Sequence, residues 1–338
     1  MIAFYVHHHG SGHLHRALAI AGELGEKSVG MSTLPAPPGW PGRWLVLPDD
    51  AGDVDQRRDD VTAGSTLHWV PRHHDGLRER MARISSELRD REIRLLVSDV
   101  SVEVSLLARL HGVPVAVVAQ PGERTDRAHR TAYDLAEVII APWPRRPAPD
   151  WPEAWLAKTV HVGALSRFDR RPRKQAVDGP TVLVLWGAGG LAVSPAQLRA
   201  AAAATPDWQW SVAGPGEPTE LQAPNLRHHG WMADPWPVLG EAGVVITHAG
   251  QNALAEIAAA GRPAVVIPQP RPFHEQRATA AALIRARLGV VVPSWPEPHR
   301  WPSLLTRART RGGDWTPWSS GDGAIQAAVA LREVAGKR

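Results

Sequence analysis

Short apolar runs alternate with helix-patterned stretches along this chain, and the alternation starts twice. In the first half Ile2–Val6 reads as a buried strand, and residues 13–24 as a helix with Leu14, Leu18 and Ala21 on one face. Strands over 95–98, 113–119 and Val138–Ala141 then alternate with helices over 102–111 and 126–136. A polar, charged stretch at 170–180 (RRPRKQAVDGP) reads as a linker, and the pattern restarts after it. Strands over 181–186, 208–213, Val244–Thr247, 264–267 and 290–292 enclose helices over Pro195–Ala203, Gln251–Ala260 and 274–287. A last helix over 322–334 is positioned to pack back across the junction. Repeated strand–helix–strand units predict parallel sheets covered on both faces. The expected class is therefore α/β, with two doubly wound domains, 1–169 and 181–338, facing each other across a cleft. A length of 338 residues agrees, being long for one core. The segment 31–70, rich in Pro, Gly, Asp and Arg, predicts two short strands and mobile loops.

Composition narrows the function. With no cysteine, disulfides, cysteine metal ligands and thiol nucleophiles are excluded. No apolar stretch approaches the ~20 residues that span a bilayer, and the first apolar run is too short for a signal peptide. The expectation is a cytosolic protein without a transmembrane segment, with loose attachment to a membrane surface left open. A net charge of +4, with basic residues scattered among acids, gives no nucleic-acid footprint. There are 15 Trp against 3 Phe and 2 Tyr. Trp143, Trp151 and Trp155, in a Pro-rich stretch, are candidates for stacking on sugar or lipid, but packing is the simpler reading.

The motifs fall in loops at the carboxyl ends of predicted strands, where doubly wound sheets bind ligands. The first is HHHGSGHLHRA. Gly12 permits close approach of a ligand, and His13 at the helix start is a candidate general base. The cluster His7, His8, His9, His13 and His15 invites a metal reading. Strand alternation argues that His7, His8 and His9 do not converge, so no metal is expected. The spacing G-x-G-x-x-G is absent, which weakens a dinucleotide reading. Asp99 ends the strand LLVSD and either orients His13 or caps the next helix. In the second half, Gly187, Gly189 and Gly190 follow a strand and offer backbone N–H groups to a diphosphate. The block THAGQNALAEIAAAGRPAVVIPQPRPFHEQ carries more information. His248, Ala249 and Gly250 open a helix bearing Gln251, Asn252 and Glu256, and a carboxylate at that position can accept both hydroxyls of a ribose. His274, Glu275 and Gln276 follow the next strand, placed to meet sugar hydroxyls.

This block resembles the C-terminal nucleotide-sugar signature of glycosyltransferases with the GT-B fold. It is most similar to the group containing the peptidoglycan N-acetylglucosaminyltransferase that forms lipid II. The resemblance spans Gly187 to about Gln276, with added support from Gly10–Arg16. It implies Glu256 on the ribose, Gln276 on the donor sugar, and His248, Ala249 and Gly250 under the diphosphate. It also implies Trp231 and Met232 at the base and His13 as catalytic base. The segment SDVSVEVSLLARLHGVPVAVV resembles plant-type glycosyltransferases, which implies an Asp99–His13 pair. The N-terminal loop is less glycine-rich than in the peptidoglycan enzyme, the phosphate turn is shorter, and its membrane-binding apolar patch is not recognisable.

The expectation is a metal-independent, cofactor-free transfer of a hexosyl or N-acetylhexosaminyl group from a nucleotide-diphosphate sugar, UDP first. The acceptor is a small-molecule or lipid-linked hydroxyl, from a natural product or a cell-wall precursor. The resemblance favours inversion. A UDP-sugar 2-epimerase of the same fold and a non-catalytic nucleotide-sugar-binding protein are the alternatives.

Overall fold

A computed structural model describes residues 1–337 except 9, 53, 57, 91, 146–150, 174–178, 188–192 and 216–222. His9, Gly189 and Gly190 therefore lie outside the described residues, with much of the linker. The chain divides into a first unit, Met1–Pro142, Pro149–Val162 and Asp322–Arg338, and a second, Trp143–Ala148 and Gly163–Gly321.

Among the described residues the first unit holds a seven-stranded sheet. Its strands are β1 (Ile2–Val6), β2 (Ser28–Ser32), β3 (Arg43–Val46), β4 (Leu95–Asp99), β5 (Val115–Val118), β6 (Val138–Ala141) and β7 (Thr159–His161). They run parallel in the order β3-β2-β1-β4-β5-β6-β7. Every residue of β1, β4, β5 and β6 is buried, as strands covered on both faces require. The helices are α1 (Ser11–Leu24), α2 (Asp75–Asp90), α3 (Val102–Leu110), α4 (Arg127–Leu135) and the short α5 (Glu153–Leu156). The last helix, Gly323–Gly336, belongs to this unit and packs on α1.

The region expected to be loose is tied by buried charge. Arg80 of α2, fully buried, pairs with Asp50 at 3.0 Å and donates to the Tyr5 hydroxyl at 3.0 Å. Glu103 Oε1 accepts the backbone N–H groups of His68 and Trp69 at 2.7 and 3.0 Å. Trp151 and Trp155 pack on Tyr133, with centroids 5.2 and 5.1 Å away, and both are buried. Packing, not ligand stacking, accounts for these two.

Among the described residues the second unit holds a six-stranded parallel sheet, order β10-β9-β8-β11-β12-β13. Its strands are β8 (Thr181–Leu185), β9 (Gln209–Ala213), β10 (Leu226–His228), β11 (Val244–Thr247), β12 (Ala264–Val266) and β13 (Val290–Val291). The helices are α6 (Pro195–Ala203), α7 (Trp236–Glu241), α8 (Gln251–Ala260), α9 (Glu275–Ala286) and α10 (Trp301–Arg311). Successive strand residues serve opposite cores. Leu183, Leu185 and Val245 join one with Trp236 and Trp315; Val182, Val184 and Val244 join the other with Trp210 and Trp301. Tryptophan thus fills both faces where phenylalanine is scarce.

Candidate active site

In the first unit the strand order reverses between β1 and β4, so the loops after them open onto one crevice at the strand ends. Gly10 follows β1 at φ 81, a left-handed value that suits glycine, and α1 starts next. Its N-cap, Gly10, offers no side chain to cap α1. The N–H groups of its first turn, those of Gly12 and His13 included, lack an intrahelical acceptor. His13 Nδ1 lies 3.0 Å from Asp99 Oδ1. An ionised carboxylate only accepts, so Nδ1 carries the proton and Nε2 is left as the basic nitrogen.

Asp99 is itself gripped by Arg16. Arg16 Nε donates to Oδ2 at 3.1 Å, and Nη2 reaches Oδ1 and Oδ2 at 3.0 and 2.9 Å. Burial pushes the Asp99 carboxyl up, but Arg16 and then His13 overcome that and hold it well below the usual carboxylate range. Asp99 does not cap α3. Ser101 does, accepting from the Val104 N–H at 3.2 Å. Val100, between the two, stands at φ 74, a strained conformation for a β-branched residue. Sequence reasoning missed Arg16 as the clamp. Its position three residues after His13, on the same helix face, was the available signal.

His7 and His8 do not alternate as strand residues would, because β1 ends at Val6. The two rings stack at 5.0 Å, and the His7 and His13 centroids are 5.7 Å apart. Among the described residues, two groups bring three metal-capable atoms within 4.8 Å of one another: His8, Asp49 and Asp50, and His68, Asp126 and His129. Each already has a guanidinium beside it. Arg80 pairs with Asp50 at 3.0 Å, and Arg124 Nη1 lies 3.3 Å from His129 Nε2. A ligating histidine ordinarily donates its second N–H to an acceptor, which a guanidinium cannot be.

In the second unit the order reverses between β8 and β11, and the loops after these strands carry Gly187 and His248–Gly250. His248 Nδ1 accepts from the Gly250 N–H at 2.9 Å and lies 3.1 Å from Gln276 Nε2. With Nδ1 accepting, the proton sits on Nε2, which faces Gly187: a Cβ there would stand 3.6 Å from it. Burial, and secondarily Arg271, push His248 down to about 4, so it is a neutral N–H donor. Gly250 is required by close approach, since a Cβ would fall 2.2 Å from His248 Cε1. α8 begins at Gln251 with no side-chain cap and ends at Gly261, φ 64. Asn252 shares its first turn, partly buried.

Glu256 lies one turn further along α8 and is 9% exposed. Burial pushes its carboxyl up, and Arg167, whose Nε donates to Oε1 at 2.8 Å, pulls it only part of the way back. Arg167 Nη1 also donates to the Ala233 carbonyl at 2.8 Å, so one guanidinium ties Glu256 to the turn of Trp231 and Met232. The Trp231 side chain is 55% exposed, whereas Met232 packs on the core. The Gln276 amide is occupied inside the protein: Oε1 accepts from Ala249 and Gln269 N–H at 3.2 and 2.9 Å. His274 is exposed and Glu275 partly so, at the start of α9. Phe273 and His274 both adopt left-handed backbone, φ 58 and 54. Arg167 carried no sequence signal, because it lies outside the block and just before the linker.

Comparison with known proteins bears on the fold. The glycosyltransferase family 28 C-terminal domain matches residues 225–299. The calicheamicin glycosyltransferase CalG4 superposes with a TM-score of 0.69 at 20% identity, covering 99% of this chain and 98% of that one. The fold is GT-B. Among curated proteins, two UDP-N-acetylglucosamine–N-acetylmuramyl-(pentapeptide) pyrophosphoryl-undecaprenol N-acetylglucosamine transferases are similar. The one from Leifsonia xyli subsp. xyli is 33% identical over 144 residues, 40% of each chain. The one from Rubrobacter xylanophilus is 30% identical over 185 residues, 50% of this chain and 52% of its own. The chain spans about half the length, or less, of these relatives. Among the described residues no helix is long and apolar enough to cross a membrane.

Proposed function

We propose that the chain transfers a sugar from a nucleotide-diphosphate donor to a hydroxyl acceptor. The observation that carries the reading is the α8 site: a buried carboxylate, a neutral histidine N–H and an uncapped helix N-terminus gathered at a switch point. Glu256 accepts the ribose hydroxyls, with Arg167 as its positioning residue. The α8 N-terminus and His248 Nε2–H stabilise the leaving diphosphate, a task this reading gives to fixed dipoles rather than a metal. Trp231 offers an exposed indole face to the base. Gln276 braces the 248–250 turn, and Gly187, Gln251, Asn252, His274 and Glu275 complete the donor surroundings; Gly189 and Gly190, outside the described residues, are assigned to the donor from the sequence alone.

In the reaction, His13 Nε2 takes the acceptor's hydroxyl proton and that oxygen bonds to the anomeric carbon. The bond from this carbon to the phosphate oxygen breaks, and the nucleoside diphosphate leaves. Asp99, fixed by Arg16, steadies the imidazolium. The preformed His13–Asp99 pair favours catalysis over mere binding, and the named transferases favour transfer over epimerisation. Their UDP-N-acetylglucosamine donor makes UDP the first nucleotide to test. Their undecaprenol-linked substrate suggests a peripheral protein at the cytosolic membrane face; a soluble acceptor needs no membrane.

Calorimetry with UDP and its ribose 2′-deoxy analogue tests the reading. The wild-type chain is expected to prefer UDP, and Glu256→Ala to lose the preference. Equal affinities in the wild type would remove the ribose role.

A further inference from the structure

Just before the linker, residues 163–173 form a strap without helix or strand on the second unit. Its start is pinned where the Ala164 N–H donates to the Trp318 carbonyl and Ser319 Oγ donates to the Ala164 carbonyl, both at 3.0 Å. Its end is pinned on α8, where Arg173 Nε and Nη2 donate to the Ala259 and Ala258 carbonyls at 3.0 and 3.3 Å. These carbonyls lie in the last turn of the helix, where a cation is favoured.

Between the two anchors lies Phe168, buried, with the Arg167 and Arg171 guanidiniums 4.5 and 4.6 Å from its ring centroid. Each arginine reaches a successive residue of the turn after Trp231 and Met232. Arg167 Nη1 holds the Ala233 carbonyl, and Arg171 Nη1 donates to Asp234 Oδ1 and Oδ2 at 3.0 and 2.8 Å. Asp234 carries the tie onward, because its Oδ1 accepts the Trp236 N–H at 3.1 Å where α7 begins. The Trp236 ring in turn packs on Phe168, with centroids 5.0 Å apart. Burial pushes the Asp234 carboxyl up, but the hydrogen bond from Arg171, then that from Trp236, hold it below its ordinary range.

The entry side of the same turn is fixed by backbone. Gly230 stands at φ 71, its N–H donates to His228 Nδ1 at 3.0 Å, and its carbonyl accepts the Gly214 N–H at 3.1 Å. Trp231 thus projects, exposed, between two held ends. An isolated ion pair as exposed as Arg171–Asp234 contributes little to stability. This pair is stacked and networked, so its consequence is geometric: it fixes where the indole stands.

We propose that Arg171, latched to Asp234, is a positioning residue that sets the Trp231 indole for the nucleobase of the donor. The assignment rests on the donor reading above, which gives Trp231 to the base. A turn ordered in advance spares the ordering cost that base stacking would otherwise carry. The role of Arg171 is to hold the turn, not to touch the base. A rival route runs through charge. After burial and Arg167, Asp234 raises the Glu256 carboxyl and Arg171 lowers it. The experiment separates the turn from that carboxylate.

UDP affinity is measured by calorimetry at pH 8, above the carboxylate range, for the intact chain and for Arg171→Met, Asp234→Asn and Trp231→Ala. Each of the first two is also combined with Trp231→Ala. Asparagine at 234 can still accept the Trp236 N–H but no longer forms the ion pair. Each latch variant is expected to weaken UDP by about threefold to tenfold when Trp231 is present and by less than about twofold when it is absent, the signature of residues that act through one another. Arg171→Lys, which keeps the charge, should recover part of the loss. If Arg171→Met does not fold, Asp234→Asn carries the comparison. Equal losses with and without Trp231 overturn the proposal, since a charge effect on Glu256 or a general loosening acts in both backgrounds. Unchanged UDP affinity in the latch variants, or in Trp231→Ala, overturns it as well. A wild-type chain that does not bind UDP contradicts the donor reading, and the latch with it. Normal UDP binding with additive losses contradicts the latch alone.

Discussion

In the first unit His13, the proposed base, is held by side-chain charge; in the second, the turn proposed to face the diphosphate is held mainly by backbone. His13 owes its tautomer to Asp99, and Asp99 owes its ionisation to Arg16, both buried. His248 owes its tautomer to the Gly250 N–H, helped by the Gln276 amide, within one contiguous block. The first arrangement is stiff but fails abruptly when one charge is removed. The second is local, and single substitutions should degrade it by steps.

The largest difference should come from Asp99→Asn. It leaves Arg16 charged and buried without its carboxylate, a change that costs ~3–5 kcal/mol of stability in comparable pairs. It also removes the group that fixes His13, so turnover is expected to fall by roughly 10⁴-fold. Denaturant melts and transfer rates check both; unaltered stability would show that the clamp is not strong. The pH dependence has a definite sign. Because the folded carboxyl is held below its unfolded value, its stabilisation is complete above the ordinary Asp range. It is lost as pH falls through and below that range. Acid melts of the wild type should show this, and Asp99→Asn should flatten it.

Glu256→Gln keeps the shape but removes the charge, and nucleotide affinity should drop by ~1.5–3 kcal/mol, read by calorimetry. Little change in turnover at saturating donor would accompany it if the role is binding. Gly250→Ala drives a Cβ toward the His248 ring at 2.2 Å, so the ring or the turn must move. A stability loss of ~1–3 kcal/mol with weaker UDP binding is expected; a neutral effect would show the turn to be compliant.

The smallest effect at neutral pH should be that of Arg167→Met. Burial already raises the Glu256 carboxyl, and losing the guanidinium raises it further. Arg171 and Asp234, the other charges acting on Glu256, remain. UDP affinity of the variant should therefore weaken as pH falls toward the carboxylate range, more steeply than in the wild type. Parallel pH profiles would exclude Arg167 as the residue that keeps Glu256 ionised.

The same contrast explains what could be read in advance. Val244–Thr247, α8 and the αL stop at Gly261 are set by neighbours in sequence, and the block from His248 to Gln276 was legible for that reason. Asp99 as partner of His13 was legible as one of two options, because both lie at the ends of strands that pair in the sheet. Arg16 as the clamp was not, since its role depends on a carboxylate 83 positions away. α2 escaped notice beneath its charges, although Leu77, Met81, Ile84 and Leu88 repeat at helical spacing, with Ile84 and Leu88 buried. The segment 31–70 looked loose because Glu103 and Arg80, which tie His68, Trp69 and Asp50 within it, come from outside it. The short β10 offers only three residues, too few for a period to emerge.

The most direct test of the account incubates the chain with UDP-N-acetylglucosamine and a panel of neutral hydroxylated ring compounds and lipid-linked diphosphates. Product mass and UDP release are followed together. The account predicts one acceptor gaining a single sugar with equimolar UDP, and loss of that product by roughly 10²–10⁴-fold in His13→Ala while UDP still binds. Full transfer by His13→Ala, or isomerised donor with no acceptor product, would contradict it.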